Sequence, residues 1–219
     1  MSLDFEQART YMVNQQVRPW DVLDPRVLDV LATVKREDFV PTRHRRLAFN
    51  DMTLPLDHGQ SMMKPVIEGR MLQALELNPE DEVLEVGTGS GFITACLAQL
   101  ARDVVSIDIH ADFVERAQAR FVASTTTNVR VEHADALSYT PARQFDAVVV
   151  TAAVADVPAV FMSWLKPGGR LFLVKGHSPV QQAVLFRSDA QGQVSEEGLF
   201  ETDDVTYLIG AEPVERFAL

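Results

Sequence analysis

Residues 83–92 read Val-Leu-Glu-Val-Gly-Thr-Gly-Ser-Gly-Phe, a strand-like run that meets three alternating glycines and opens a helix. Glycine at 87, 89 and 91 lets the backbone turn sharply and approach a ligand at a helix N-terminus, where free N–H groups and the helix dipole favour an anion. The spacing speaks for a nucleotide-type ligand. A dinucleotide fingerprint runs Gly-x-Gly-x-x-Gly, whereas here Phe92 stands where that motif continues and Glu85 sits inside the strand end. An ordinary tight strand-to-helix turn shares this pattern, so further landmarks must agree.

Those landmarks follow in register. Residues 104–109 (Val-Val-Ser-Ile-Asp-Ile) form a second buried, β-branched strand ending at Asp108 and Ile109, roughly 20 residues past the first glycine. A carboxylate there suits a ribose diol; a capping or loop aspartate is the alternative. A third strand, residues 129–133, leads to Asp135 and Ala136, where an acid can accept from an adenine amino group. Helical patterning at 93–100 and 113–121, a continuous apolar strand at 145–151, a helix at 157–165 stopped by Lys166-Pro167-Gly168-Gly169, and a strand at 170–174 continue the alternation. Strands are expected at 183–187 and 205–209, separated by a polar turn region over 188–198. The fold class is therefore α/β: a doubly wound, mostly parallel Rossmann-like sheet, with ligand at the carboxyl ends of its strands. The glycine spacing resembles that of S-adenosylmethionine methyltransferases.

Composition narrows the partners. A net charge of -11 argues against a polyanionic partner, since nucleic-acid binders carry a basic footprint. The one basic cluster, Arg43-His44-Arg45-Arg46, reads as a solvated helix face. Cys96, the single cysteine, falls in the apolar pattern of a helix and reads as a small buried hydrophobe. No signal-like segment opens the chain and no apolar run reaches about 18 residues, so no membrane partner and a cytoplasmic setting are expected.

Residues 1–80 differ in kind from residues 81–219. Helical spacing appears at 5–17 and 26–34, with Pro25 at a first-turn position. Residues 38–41 (Asp-Phe-Val-Pro) break the pattern; residues 54–61 (Leu-Pro-Leu-Asp-His-Gly-Gln-Ser) are extended and turn-rich; a third helix runs from about Pro65 to Leu77. The first part is thus expected to be a helical and lid segment packed on a Rossmann-like core with C-terminal strands. A polar, glycine-containing loop beside a cofactor fold is where a substrate lid belongs.

Nearly the whole chain resembles the protein-L-isoaspartate (D-aspartate) O-methyltransferases. Residues 36–41 (Arg-Glu-Asp-Phe-Val-Pro), 47–51 (Leu-Ala-Phe-Asn-Asp), 54–56 (Leu-Pro-Leu) and 58–60 (His-Gly-Gln) are similar to that family's distinctive N-terminal segment. Residues 85–91 are similar to its cofactor loop. The resemblance implies S-adenosylmethionine as cofactor and S-adenosylhomocysteine as its product. Glu85, Gly87, Thr88, Gly89, Ser90 and Gly91 would shape the methionine and ribose end, Asp108 with Ile109 would hold the ribose, and Asp135 with Ala136 would sit at the adenine. It further implies a protein or peptide substrate bearing isoaspartate, whose methyl ester closes to a succinimide and reopens partly to normal aspartate, a repair reaction. His58, Gln60 and Met63 would face that substrate, with Ser61 as the catalytic hydroxyl; His58 as a plain surface histidine remains the alternative.

Two departures lie on the substrate side. Where the family usually reads Thr-Ile-Ser-x-Pro, this chain reads Ser61-Met62-Met63-Lys64-Pro65, so Met63 occupies the position of an active-site serine. Near the C-terminus, Thr206-Tyr207-Leu208-Ile209 stands for a Val-Pro-Leu-Thr type segment. A methyltransferase of this architecture with another acceptor, and a non-catalytic S-adenosylmethionine-binding protein, are both compatible with this pattern. Neither the acceptor nor the oligomeric state can be read from the residues.

Overall fold

The computed structural model describes residues 4–203 and 205–214. Its centre is a seven-stranded sheet, ordered β5-β4-β3-β6-β7-β8-β9. The strands are β3 (Glu82–Val86), β4 (Asp103–Asp108), β5 (Val129–His133), β6 (Phe145–Val154), β7 (Leu165–His177), β8 (Val180–Ser188) and β9 (Val194–Thr202). The first five are parallel, and β8 and β9 add an antiparallel meander at one edge. Central parallel strands are covered on both faces, so β3, β4, β6 and β7 are mostly apolar and the period of two decides which face a residue serves, while the edge strand β5 (Val-Arg-Val-Glu-His) is only half covered. Val83, Val104, Ala147, Val149, Phe172 and Val174 face one core; Leu84, Val105, Val148, Val150, Leu171 and Leu173 face the other.

The first core is closed by the N-terminal segment. Helices α1 (Phe5–Met12, continuing as a wider turn over Val13–Val17), α2 (Pro25–Thr33) and α3 (Pro65–Ala74) bury Met12, Val17, Leu31, Met71 and Leu72 in the same apolar cluster as the sheet and α4 (Phe92–Leu100). Asp24 caps α2 by accepting from the Arg26 N–H, with Pro25 at its first turn. Helix α5 (Ala111–Ala123) packs on β4 and β5, and a short α6 (Val160–Ser163) on β7.

Three expectations need correction. The helix read at 157–165 shrinks to Val160–Ser163, because Leu165 already pairs with Phe145 as β7 begins; Pro167-Gly168-Gly169 is a bulge in that pairing, with Gly168 at φ 79°. The polar stretch 188–198 contains most of β9, an edge strand held by its ladder to β8, whose Glu196 and Glu197 point to solvent and mask the period. Residues 205–209 form no strand. Beyond Val150, β6 has outrun β3, and the C-terminal segment meets its free edge through single bonds: Ala153 donates to the Thr206 carbonyl and accepts from the Leu208 N–H, and Ala155 just past the strand donates to the Ala211 carbonyl.

A buried ion pair fastens this N-terminal layer. Arg36, with no exposed surface, donates from Nε and Nη2 to Glu68 at 3.1 and 2.9 Å and from Nη2 to the Met63 carbonyl at 2.7 Å, while lying 5.1 Å from the Phe92 ring centre. Removing one partner strands the other charge away from water. We expect Arg36→Ala to lower stability by about 3–5 kcal/mol in urea unfolding, and the double replacement Arg36→Met/Glu68→Leu to recover most of that loss. Simple additivity of the two single changes would contradict this account.

Candidate active site

The sheet order reverses at β3, where β4 leaves to one side and β6 lies on the other, and the cleft opens at the carboxyl ends of these three strands. It encloses about 640 Å³ including its mouth, between Val86, Gly87, Gly89, Ile107, Asp108, Ile109, Ala134, Asp135, Ala136, Thr151 and Ala152, with Leu56, Gln60, Ser61, Thr206 and Leu208 above. A recess of about 320 Å³ continues it past Leu56 and Ser61 to Met62, Met63, Thr88, Ser90, Phe92 and Ile93.

The glycine loop is shaped from both sides. Gly87 has φ 95°, and a β-carbon there would lie 2.5 Å from Thr151 Oγ1, which donates to the Gly87 carbonyl at 2.8 Å. Gly89, at φ 51°, passes beneath Leu56. Asp108 Oδ2 accepts from the Gly89 N–H at 2.8 Å and Oδ1 from the His110 N–H at 2.9 Å, so this carboxylate ties the loop after β3 to the end of β4. Burial raises the Asp108 pKa against the pull of these two N–H groups. Each carboxylate oxygen keeps a second lone pair for a ligand hydroxyl. Asp135 is exposed, with Oδ1 accepting from the Leu137 N–H at 2.9 Å, and Ala136 is buried beside it on the cleft wall.

Glu85 is a different case. The alternation that puts Val83 on the first core puts Glu85 there too, opposite Ser106 on β4 and beneath α4. It is fully buried, touches neither the cleft nor the recess, and accepts at Oε2 from Thr94 Oγ1 at 2.5 Å and Ser106 Oγ at 2.6 Å. Ser106 in turn lies 2.6 Å from Thr88 Oγ1 in the loop. In this structure Glu85 shapes the ligand end of the loop only from below, bracing it through Ser106 and Thr88. Gly91, at φ 84°, caps α4 and also lines neither cavity.

The segment expected to be a lid holds a hairpin of β1 (Leu54–Pro55) and β2 (Ser61–Met62), which hangs Leu56 over the cleft. His58 is outside the cleft. Its ring stacks on His110 at 4.1 Å and 7° and bonds Asp112 at 2.8 Å, while neighbouring Asp57 pairs with Arg116 at 3.0 Å. The hairpin is thereby latched to α5. Ser61 Oγ lies 2.7 Å from Thr206 Oγ1, so lid and C-terminal segment meet in a hydroxyl pair above the cleft. Met63 is 5% exposed and turns into the recess.

Sequence reasoning missed Thr151 and His110, and it placed Thr206 on the substrate side only as part of the segment 206–209, without its hydroxyl contact to Ser61. Thr151 was reachable as the residue at the carboxyl end of a central parallel strand, and His110 as the neighbour of Asp108 and Ile109. The meeting of Thr206 with Ser61 had no local signal, because it depends on the free edge of β6.

A doubly wound sheet with an acid-walled, glycine-floored cleft at its switch point defines a Rossmann-like protein of the nucleotide-ligand class. A Plasmodium falciparum protein solved with S-adenosyl-L-homocysteine shares the fold, with TM-score 0.78 and 17% identity over 91% of this chain and 97% of that one. A solved protein-L-isoaspartate O-methyltransferase does so with TM-score 0.79 and 20% identity, over 94% and 67% of the two chains. The sequence profile of the Protein-L-isoaspartate(D-aspartate) O-methyltransferase family matches residues 8–208. The protein-L-isoaspartate O-methyltransferase of Ruegeria pomeroyi is 42% identical over 178 residues (80% of this chain, 83% of the relative), and that of a Synechococcus strain is 38% identical over 212 residues (96% and 84%). The chain belongs to this family.

The Glu85 network has a measurable consequence for stability. Burial, opposed by the Ser106 and Thr94 hydroxyls, pushes its carboxyl up to about 8 from 4.5. The native state holds a proton that the unfolded chain releases, so the stabilising contribution is complete below about pH 4.5 and is lost as pH rises to about 8. Glu85→Gln should flatten the fall in unfolding free energy across this window by up to ~1.4 kcal/mol per pH unit. Equal pH slopes for variant and parent in urea titrations would show Glu85 to be ionised in place.

Proposed function

We propose that this protein transfers a methyl group from S-adenosylmethionine to the free carboxylate of L-isoaspartyl or D-aspartyl residues in damaged proteins or peptides, in a cytoplasmic setting. Family membership supports the reaction. The observation that carries the site is the cleft itself, in which a carboxylate at the end of β4 and a second at the end of β5 flank an aliphatic slot made by Ile107, Ile109, Ala134 and Ala136. That donor and surface pattern fits an adenosine: Asp108 for the ribose hydroxyls, Asp135 and the Ala136 backbone at the base, and the loop residues Gly87, Thr88, Gly89 and Ser90 toward the amino-acid end.

The bound cofactor supplies a methyl group already activated on a sulfonium. The protein's residues have to hold the acceptor at about 3 Å with aligned approach and keep water out. An acceptor carboxylate has a reference pKa near 4 and is ionised at neutral pH, so no base is required of the site. In this reading the Ser61 and Thr206 hydroxyls orient the acceptor, Gln60 faces it from the lid, and Leu56, Met62, Met63, Phe92 and Ile93 provide the apolar wall. Met63 in place of a serine removes one hydroxyl, and Thr206 brings another to the same roof. A second reading is favoured by the apolar recess at Met62, Met63, Phe92 and Ile93: methyl transfer to a less polar acceptor.

Two measurements test the proposal. Asp108→Ala should weaken S-adenosylhomocysteine binding by about 1.5–3 kcal/mol in calorimetry, the range for hydrogen bonds to a charged group; unchanged affinity in the folded variant would remove Asp108 from the ribose. An isoaspartyl peptide should be methylated and its normal aspartyl twin not, with the radiolabel released as methanol by mild alkali. Met63→Ser should raise that rate by about tenfold, equivalent to about 1.4 kcal/mol, and Thr206→Val should lower it. A label that survives alkali would exclude a carboxyl acceptor and favour the second reading.

A further inference from the structure

Beyond Leu56 and the glycine loop lies another cleft, of about 900 Å³, which shares Leu56, Gly89 and Ser90 with the recess and is walled by Phe39, Arg43, Arg116 and Arg120. Arg120 is the feature that sets it apart. Its guanidinium carbon lies over the Phe39 ring, 4.4 Å from the ring centre, and its Nη1 is buried without a hydrogen-bond partner. Among the described residues it forms no ion pair, and its burial lowers its pKa. The acids nearby are already engaged. Asp57 and Asp112 hold Arg116 at 3.0 and 2.6 Å, and Asp38 holds Arg45 at 2.6 Å. Arg43, at the exposed rim, bonds His44 and, among the described residues, no carboxylate. Three guanidinium groups thus face two carboxylates, Asp38 and Asp57, in a chain that is strongly acidic overall.

A half-buried guanidinium without an anion is costly to maintain, and a ligand carboxylate would satisfy it with the paired geometry that the planar fork favours. The single surplus positive charge matches one carboxylate better than a phosphate dianion. The cleft adjoins the acceptor recess across one side chain, so a polypeptide lying at the recess passes within a few residues of it, at about 3.3 Å per residue. We propose that this cleft binds an acidic side chain flanking the methylated residue in the acceptor polypeptide, with Arg120 as its principal partner and Arg43 at the rim. This rests on the polypeptide-acceptor reading above.

The test uses isoaspartyl hexapeptides carrying Glu or Gln at each flanking position in turn, measured both for methylation and, by calorimetry, for binding to the protein loaded with S-adenosylhomocysteine. At one position or more, Glu should lower KM and Kd about three- to tenfold relative to Gln without changing kcat, as a partly screened ion pair would. The ratio should fall to about one in Arg120→Gln, shrink in Arg43→Gln, and return in part in Arg120→Lys, with thermal unfolding used to select folded variants. No Glu preference at any position, or a preference that survives Arg120→Gln, would overturn the proposal. So would a tenfold weaker affinity of Arg120→Gln for S-adenosylhomocysteine, which would assign the arginine to the cofactor. Arg120-dependent binding of the Glu peptide with no methylation of any peptide would uphold the subsite and refute the proposed reaction instead.

Discussion

The hydrogen bond from the Gly89 N–H to Asp108 joins two strand ends whose chain positions are 19 residues apart, and the rest of the site is arranged around it. It adds to the backbone bonds that Gly87 and Thr88 donate to the Ile107 carbonyl. With it, the loop backbone, the carboxylate and the floor of the cleft form one unit, braced beneath by Glu85, Ser106 and Thr88 and clamped on the far side by Thr151. A neutral or weakly acidic carboxyl is therefore buried directly under a second carboxyl that faces the cleft. The two roles come from one alternation: Glu85 shares a core-facing position with Ser106, and Asp108, two residues further along β4, ends that strand, still largely buried, on the wall of the cleft.

The roof is built from non-local contacts. The β1–β2 hairpin reaches α5 through His58 and Asp57, the C-terminal segment through Ser61 and Thr206, and the buried Arg36–Glu68 pair through the Met63 carbonyl. The first set is exposed and polar and therefore weak and salt-sensitive. The last is fully buried and rigid. Stability against local opening is therefore greater at the root of the hairpin than at its tip. It also explains how a methionine can stand at the position where the family resemblance implies a serine: the Met63 backbone remains anchored by Arg36, so the side chain changes the chemistry of the recess without loosening the lid. The arginines along α5 serve both sides of this cover, Arg116 as part of the latch and Arg120 toward the outer cleft.

The sequence by itself determined the doubly wound core, the order of its first strands and helices, the glycine loop, and the strand-end positions of Asp108 and Asp135, because each of these rests on local periodicity or on a fixed spacing from a strand end. It also marked residues 54–61 as an extended, turn-rich loop. Only the tertiary structure decided that Glu85 lies beneath the loop and away from the cleft, that His58 fastens the lid from outside, and that Thr206 meets Ser61. Those facts depend on which face a strand turns to its helix and on where β6 outruns β3, relations between residues up to 145 positions apart that no local pattern encodes. The edge strand β9 was hidden for a related reason: backbone pairing to β8 defines it, and its outward acids leave no apolar period to read.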